Sequence, residues 1–335
     1  MVPLPVDPSG ERGPTKNQAR GPHWRRTSRG LYVPADVDAS STDQRVVEAA
    51  AALPEDHGAV TGWAGLAWQR GRWFDGTPWG GGRVRRPTLA VGGNRWARPQ
   101  PQFETSEERL APADVVVVDG LRITSAVRSV CFEMRYARNE LDAAITLSMA
   151  CYDDLVSIDE ATAYAATLNG WTGIPRCRLG LGLAVENAWS PAELVMGELW
   201  GGTGLGLPLH NRPVFDLEGR HLGTPDGIDP VTGVAGQYDG ALHLVRAQRS
   251  KDIGVEDRLR SHGLEVVTMV ASDLRDPTLF LGRLAAAYDR AADIPAHRRQ
   301  WTIERPDGWH DTSTVAARRA LPPELRGRLL RYRAV

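Results

Sequence analysis

The sequence predicts an α+β protein in which a mixed α/β first half precedes an αβββαβ run of elements. Two observations support this fold class. Before residue 187, apolar residues recur at helical spacing in several short stretches, with β-rich segments between them. Between residues 191 and 291, a helical pattern is followed by three strand-like segments, a helix, a buried strand and a last helix. A length of 335 residues also favours about two domains.

The first half is expected to alternate short strands with helices. Residues 23–33 alternate around Gly30 as a β-hairpin does, and Asp119-Gly120 is a turn signal between two strands. The other predicted strand covers residues 88–92, and the hairpin strands cover 114–118 and 121–124. Helices are predicted over residues 43–53, 61–68, 125–135, 139–150, 157–168 and 176–186.

The second half begins with a helix over residues 191–200, because Ser190 and Glu193 occupy the two positions of a capping box. A second helix is expected to end at Gly263 and a third to follow the last strand. The predicted strands cover residues 212–217, 221–228, 234–238 and 264–270, and the two later helices cover 244–262 and 277–291. The proline- and arginine-rich residues 293–335 are expected to form an extension that wraps this domain.

Charge is segregated along the chain, although the formal net charge is only −1. Residues 11–30 contain six basic and one acidic side chain, whereas residues 193–290 contain fourteen acidic and ten basic side chains. Basic flanks around an acidic centre suit a nucleic-acid enzyme whose metal site collects carboxylates. Solvated faces on a nearly neutral protein explain the same counts equally well.

Neither a membrane span nor a secretory signal is predicted. No apolar run reaches the roughly 18–20 residues that a span needs, and the first residues lack an apolar signal core. The three cysteines, Cys131, Cys151 and Cys177, lack the paired spacing of a disulfide framework or a zinc site. We therefore expect a reduced, cytoplasmic protein.

The residues with the clearest chemical pattern lie between the second and third predicted strands of the αβββαβ run. Asp226 follows Pro225, and after ten intervening residues come Gln237 and Asp239, with His243 shortly after. On adjacent strands these oxygen-bearing side chains would converge at one edge of the sheet, and Gln237 and Asp239 would share a face. Oxygen ligands of this kind suit Mg²⁺, which can polarise a phosphodiester and activate water. Alternatively, both aspartates are turn residues, since Pro-Asp-Gly and Asp-Gly are strong turn signals.

Residues 190–292 resemble the endonuclease-like domain of actinobacterial proteins related to very-short-patch-repair (Vsr) endonucleases, within the PD-(D/E)XK superfamily. The resemblance covers about a third of the chain, with its motifs in order. The matching segments are Ser190-Pro191-Ala192-Glu193, Pro225-Asp226, Gln237-Tyr238-Asp239-Gly240, His243, Arg249-Ser250-Lys251-Asp252, Gly263-Leu264-Glu265-Val266 and Ser272-Asp273-Leu274.

The resemblance implies a restriction-endonuclease-like fold and a Mg²⁺ (or Mn²⁺) site held by Asp226, Asp239 and Gln237. Glu193 would approach the metal from the first helix, unless it serves only as a capping carboxylate. His243 would act as a general acid or bind phosphate.

The chain departs from the family pattern at three positions near this site. Gln237 stands where the family has Glu, which removes one negative charge. Gly227 stands where a bulky apolar residue is usual, and Asp239 occupies the place of the superfamily's lysine. Lys251 on the next helix is the candidate replacement, with a solvent-facing lysine as the alternative.

The first half resembles, over fewer residues, the AbiEi-type antitoxin domain that often precedes this nuclease-like domain. The hairpin would then be the wing of a winged helix-turn-helix, although few residues precede it. Arg25, Arg26 and Arg29 are candidate phosphate contacts, as is Arg249 in the second half; a solvated hairpin face is the alternative. The matching segments are residues 24–33, 59–63 and 119–125 with Arg128.

Together these patterns predict four segments. They are a basic N-terminal segment (1–34), an AbiEi-like region (35–186), a Vsr-like endonuclease domain (187–292) and a C-terminal extension (293–335). The expected function is metal-dependent hydrolysis of DNA, with DNA and a protein of a toxin–antitoxin or defence system as partners. A catalytically silent DNA-binding regulator and a toxin acting on RNA are the alternatives.

Overall fold

The computed structural model describes residues 1–93, 98–240 and 246–334, with the backbone alone at 246–253, 332 and 334. The chain divides into two compact units, Met1–Leu183 and Ala184–Val335. Both units mix helices with sheets, which confirms the α+β composition. Within the described residues, no helix combines the length and apolar character needed to cross a membrane.

Unit 1 contains two sheets. A three-stranded sheet has the order β1-β3-β2, and a five-stranded sheet has the order β6-β5-β4-β8-β7. Its strands are β1 (Leu4–Pro5), β2 (Trp24–Ser28), β3 (Leu31–Pro34), β4 (Ala59–Thr61), β5 (Thr88–Ala90), β6 (Glu104–Ser106), β7 (Val115–Val118) and β8 (Leu121–Thr124). Its helices are α1 (Thr42–Ala50), α2 (Trp63–Trp68), α3 (Ala126–Arg135), α4 (Glu140–Tyr152), α5 (Ile158–Thr167) and α6 (Ile174–Leu183).

The helix predicted over residues 61–68 begins only at Trp63. Thr61 instead ends strand β4, where it pairs with Thr88 and its hydroxyl lies 2.9 Å from that of Thr124. Gly62 then turns the chain with a φ of 65°, and a Cβ there would lie 2.3 Å from Oε1 of Glu133. The sequence pattern did not predict strand β4, because the strands with which it pairs are distant in sequence.

Unit 2 is built around a four-stranded sheet with the order β14-β13-β12-β9. Strands β13 and β14 are parallel, and the other neighbours are antiparallel. The strands are β9 (Leu209–His210), β10 (Val214–Phe215), β11 (His221–Gly223), β12 (Gly227–Ile228), β13 (Val234–Asp239) and β14 (Glu265–Val270). The helices are α7 (Pro191–Gly201), α8 (Arg246–Ser261), α9 (Thr278–Ala292), α10 (Val315–Arg319) and α11 (Pro323–Leu329).

Each face of this sheet has its own apolar core. Side chains of α7 and α9 pack on one face, where the missing side chain of Gly236 leaves room for Trp200. Ile228 and Ala235 point to the opposite face, where they pack with Leu259 of α8. Because successive residues of a strand alternate between faces, the core contacts fix which face every residue of β13 occupies.

The strands predicted over residues 212–217 and 221–228 are wrong in extent. Val214–Phe215 and His221–Gly223 pair with each other as a separate ribbon, and only Gly227–Ile228 joins the sheet. Pro225 lacks a backbone donor and interrupts the second segment. The edge strand β9 precedes the predicted region, and it ends at His210, just before Asn211, whose φ is 47°.

The C-terminal segment packs against unit 2. Phe215 and Thr302 exchange backbone hydrogen bonds of 2.9 and 2.8 Å. Arg318 is fully buried and donates to the carbonyl oxygens of Thr312 and Glu186. These long-range bonds hold the segment in place.

Candidate functional site

The pairing of β12 with β13 places Asp226 beside Gln237. Gly227 pairs with Gly236 and Ile228 with Ala235, so the next position along the ladder sets Asp226 opposite Gln237. The carboxylate of Asp226 also accepts a 2.6 Å hydrogen bond from the backbone nitrogen of Tyr238. This bond fixes the carboxylate at the end of β13.

Asp226, Gln237 and Asp239 lie on the same face of the sheet. Ile228 and Ala235 are in the core that α8 covers, and residues two apart on a strand share a face. The sheet therefore presents two carboxylates and an amide at one end of that face. All three side chains are partly buried.

Glu193 lies in the first turn of α7 and is 6% exposed. Its backbone nitrogen donates to the hydroxyl of Ser190, the N-cap, at 3.3 Å. Its carboxylate accepts a 2.8 Å bond from the backbone nitrogen of Trp189, the residue before the N-cap, so the reciprocal bond of a capping box to Ser190 is replaced by one to the preceding residue. It also accepts a 2.6 Å bond from the side-chain nitrogen of Asn211, which ties α7 to the end of β9.

The electrostatics of Glu193 connect it with Asp226. Burial, followed by the negative charge of Asp226, raises the pKa of Glu193 to about 8, against the lowering effect of its hydrogen bonds. Two carboxyl groups in a poorly solvated place repel each other when both are ionised. A cation among these carboxylates would relieve that repulsion.

Two buried asparagines, Asn187 and Asn211, connect the site to the end of β9 through hydrogen bonds. The side chain of Asn187 donates to the carbonyl oxygens of His210 and Asn211 at 3.1 and 2.9 Å. The side chain of Asn211 donates in return to the carbonyl oxygen of Asn187 at 2.7 Å, and its backbone nitrogen donates to that of Asp226 at 3.2 Å. Through these bonds Asn211 holds Glu193 and Asp226 in one network.

The donor set matches the preference of Mg²⁺ for carboxylate and carbonyl oxygens. In the described part of the chain, however, no three His, Cys, Asp or Glu side chains are grouped closely enough to hold a metal. A set of three oxygen ligands at this place would therefore have to include the amide of Gln237 together with Asp226 and Asp239. His243 lies outside the described residues, and Lys251 and Arg249 lie on α8 where only the backbone is described.

Packing explains why a glycine, Gly227, follows Asp226. A Cβ at Gly227 would lie 3.2 Å from Cβ of Pro208 and 3.5 Å from the ring of Trp200. The large indole of α7 fills the space that a bulky residue at this position would need. The departure at Gly227 is thus compensated within the core.

The three arginines of the N-terminal hairpin differ in their surroundings. Arg25 forms an ion pair with the buried Glu48 through nitrogen–oxygen distances of 2.6 and 3.0 Å. Arg26 and Arg29 are exposed on β2 and the following turn. Arg25 is therefore committed to the interior of unit 1, and the other two remain the candidates for phosphate contact.

Sequence reasoning did not identify Asn187, His210 or Asn211. Asn211 combines near-complete burial with a positive φ, a backbone state that asparagine tolerates better than most residues. An asparagine shortly before a proline could have indicated a turn there. Its bond to Glu193 spans 18 positions and leaves no local signal.

Searches of protein-family models, curated proteins and solved structures found no match to this chain.

Proposed function

We propose that the chain is a DNA-binding protein whose second unit is a metal-dependent endonuclease domain of the Vsr-like, PD-(D/E)XK type. The observation that carries the proposal is the alignment of Asp226, Gln237 and Asp239 on one face at one end of the sheet. Those side chains come from the two motifs by which the domain resembles that superfamily.

The order of elements supports the same assignment. Helix α7 precedes antiparallel strands β9, β12 and β13, and α8 then connects β13 to the parallel strand β14. This is an αβββαβ succession on one sheet, with β10 and β11 as an inserted ribbon. A restriction-endonuclease-like core has this arrangement of a helix, an antiparallel hairpin and a parallel crossover.

Each residue of the site has a distinct part in the proposed reaction. Asp226 and Asp239 would hold Mg²⁺ or Mn²⁺, and Gln237 would contribute a neutral amide oxygen. A bound divalent ion supplies Lewis acidity toward the phosphodiester and lowers the pKa of a water molecule. Asn211 donates to Glu193 and to the carbonyl oxygen of Asp226, and it would thereby hold the Glu193 carboxyl group near the proposed metal ligands.

DNA contact is assigned to the basic surface of unit 1. Exposed Arg26 and Arg29 would bind backbone phosphates without reading sequence. The hairpin of β2 and β3 would serve as the wing of an AbiEi-like, winged-helix-related region. On this proposal, a second protein from a toxin–antitoxin or defence system is the expected protein partner.

Nicking of supercoiled plasmid in Mg²⁺ or Mn²⁺ tests the proposal. The native chain should convert the plasmid slowly to open circles, and Gln237→Glu should accelerate the conversion because a third carboxylate strengthens the site. Asp226→Ala should abolish it, since that change removes a proposed ligand. A Gln237→Glu protein that stays folded and leaves the plasmid intact in both metals would contradict the nuclease assignment.

Gln237 itself favours a second candidate, a catalytically silent DNA-binding regulator. A neutral amide in place of a carboxylate is the change expected of a site that has lost its metal. If the native and Gln237→Glu proteins both bind plasmid and both leave it uncut, this second function is the correct one. Cleavage of RNA by the same proteins would instead indicate a toxin.

A further inference from the structure

Unit 2 contains a cavity of about 410 Å³ next to the candidate metal site. One wall includes Asn187, Trp189 and Asn211, and another is formed by residues 305–313 of the C-terminal segment. Sites that bind small molecules have volumes of roughly 300–1,000 Å³. The cavity is therefore large enough to hold a small molecule or one unit of a polymer.

Asn211 connects this cavity with the carboxylates. The residue lines the cavity and also donates hydrogen bonds to the carboxylate of Glu193 and the carbonyl oxygen of Asp226. Thr224, two positions before Asp226, lines the cavity as well. An occupant of the cavity would consequently lie next to the proposed metal ligands.

The cavity presents an aromatic surface. Trp309 is 39% exposed and lines the cavity. Its ring meets that of Phe215 edge to face, with 4.7 Å between the ring centroids. The ring of His221, which also lines the cavity, is 5.3 Å from that of Trp309. Exposed aromatic rings in such positions stack on unpaired nucleobases.

Positive charge accompanies the aromatic rings. Arg305 and the exposed Arg328 line the cavity, together with Asp311, which pairs with Arg305 at 2.6 Å. Burial and then the charge of Arg305 lower the pKa of Arg212, the residue after Asn211. The guanidinium groups of Arg212 and Arg305 lie near the single carboxylate of Asp311, so positive charge exceeds negative charge there. Such an excess suits a phosphate-bearing ligand.

We infer that this cavity receives one unstacked nucleotide of the DNA, with its base on Trp309 and its phosphate near Arg305. This inference rests on the proposed function, because it places the nucleotide beside the phosphate to be cut. Enzymes that extrude a base accept it in aromatic-lined pockets of this type.

Binding of matched DNA duplexes by the full chain in EDTA tests the inference without the metal. The probes are fluorescent duplexes that carry one bulged adenine, one bulged thymine or one abasic bulge, and affinity is measured by anisotropy. The adenine and thymine bulges should each bind about tenfold more tightly than the abasic bulge, because only they carry a base that can stack on Trp309. Trp309→Ala should remove this preference, whereas Trp309→Phe should retain it.

Trp73→Ala is the matched control, because Trp73 is 41% exposed and lies in unit 1. Equal affinity for the three bulges, or a preference that survives in a folded Trp309→Ala protein, would overturn the inference. Plasmid nicking by the same preparations separates the two proposals. A chain that nicks without a bulge preference refutes only the cavity, and one that prefers the bulges that carry a base but never nicks refutes only the nuclease.

Discussion

The carboxylate of Asp226 accepts a 2.6 Å hydrogen bond from the backbone nitrogen of Tyr238, the residue between Gln237 and Asp239. The position of Asp226 therefore depends on the main chain of β13 and not on the side chain at position 237. A substitution at Gln237 can consequently change the charge of the site while the carboxylate of Asp226 stays in place.

This relationship predicts the effect of Gln237→Glu on metal binding. An added carboxylate should tighten Mn²⁺ binding by about tenfold or more, because ligand charge tunes the affinity of such sites. Mn²⁺ titration followed by electron paramagnetic resonance measures the change. Gln237→Ala is the control and should weaken binding. Equal affinity in all three proteins would show that position 237 does not contact the metal.

The acid sensitivity of unit 2 should depend on His210. Burial lowers the pKa of His210 to about 4 from an ordinary value of 6.5. The unfolded chain therefore binds a proton before the folded one does, and stability present above pH 6.5 is lost as the pH falls toward 4. His210→Gln should reduce this loss by up to about 3 kcal/mol, measured as the free energy of unfolding at pH 4 against pH 7.

The exposed His297 of the same unit provides the control for that experiment. His297→Gln should leave the pH dependence of unfolding as it is in the native chain. A pH dependence that His210→Gln does not alter would place the acid-sensitive group elsewhere.

Gly197 and Gly282 should respond oppositely to alanine, although both lie within helices of unit 2. A Cβ at Gly197 would lie 2.5 Å from Nε2 of His210, whereas one at Gly282 has no atom within 4 Å. Gly197→Ala should lower the free energy of unfolding by about 1–2 kcal/mol, since overpacking outweighs the helix preference of alanine. Gly282→Ala should raise it by about 0.5–1 kcal/mol. Chemical denaturation measures both, and changes of the same sign would contradict the packing of α7 against β9.

The hairpin arginines should separate into a structural and a DNA-binding group. Arg25→Ala leaves the buried Glu48 without its guanidinium, so thermal unfolding should occur at a lower temperature. Arg26→Ala and Arg29→Ala should leave stability unchanged and reduce the salt dependence of DNA binding by about one unit of slope each. An unchanged slope in both exposed variants would remove the hairpin from the DNA interface.

Glu108 should be critical for unit 1, and its exposed neighbour Glu107 should not be. Glu108 pairs with Arg128 at 3.0 Å and Arg135 at 2.6 Å, and both arginines are at most 1% exposed. Glu108→Ala leaves buried Arg135 without its carboxylate and Arg128 with only Asp114 at 4.0 Å, and it should cost about 3–5 kcal/mol of unfolding free energy. Glu107→Ala should change it by less than about 0.5 kcal/mol. Comparable stability of the two variants would show that another group neutralises the arginines.

Local sequence signals were sufficient for the longer helices. The helices predicted over residues 125–135 and 191–200 are confirmed as Ala126–Arg135 and Pro191–Gly201. At each start, Ser125 or Ser190 accepts a hydrogen bond from the backbone nitrogen three residues later. A cap needs only residues that are adjacent in sequence, and its pattern is therefore visible in the sequence itself.

Strand pairing was decided by contacts that the sequence pattern does not contain. Both the ribbon Val214–Phe215 with His221–Gly223 and the edge strand Leu209–His210 depend on partners that only the folded chain brings close. The short strands carry little periodicity of their own, so alternation could not separate the ribbon from the sheet.

The sequence by itself determined the α+β composition, the main helix starts and the oxygen-bearing residues Asp226, Gln237 and Asp239. Only the tertiary structure decided the register that sets Asp226 opposite Gln237 and the network that links Asn211 with Glu193. The physical reason is the range of the interactions. Caps and turns are closed by neighbouring residues, whereas register, burial and the resulting pKa of a carboxyl group arise from side chains that meet only after the chain has folded.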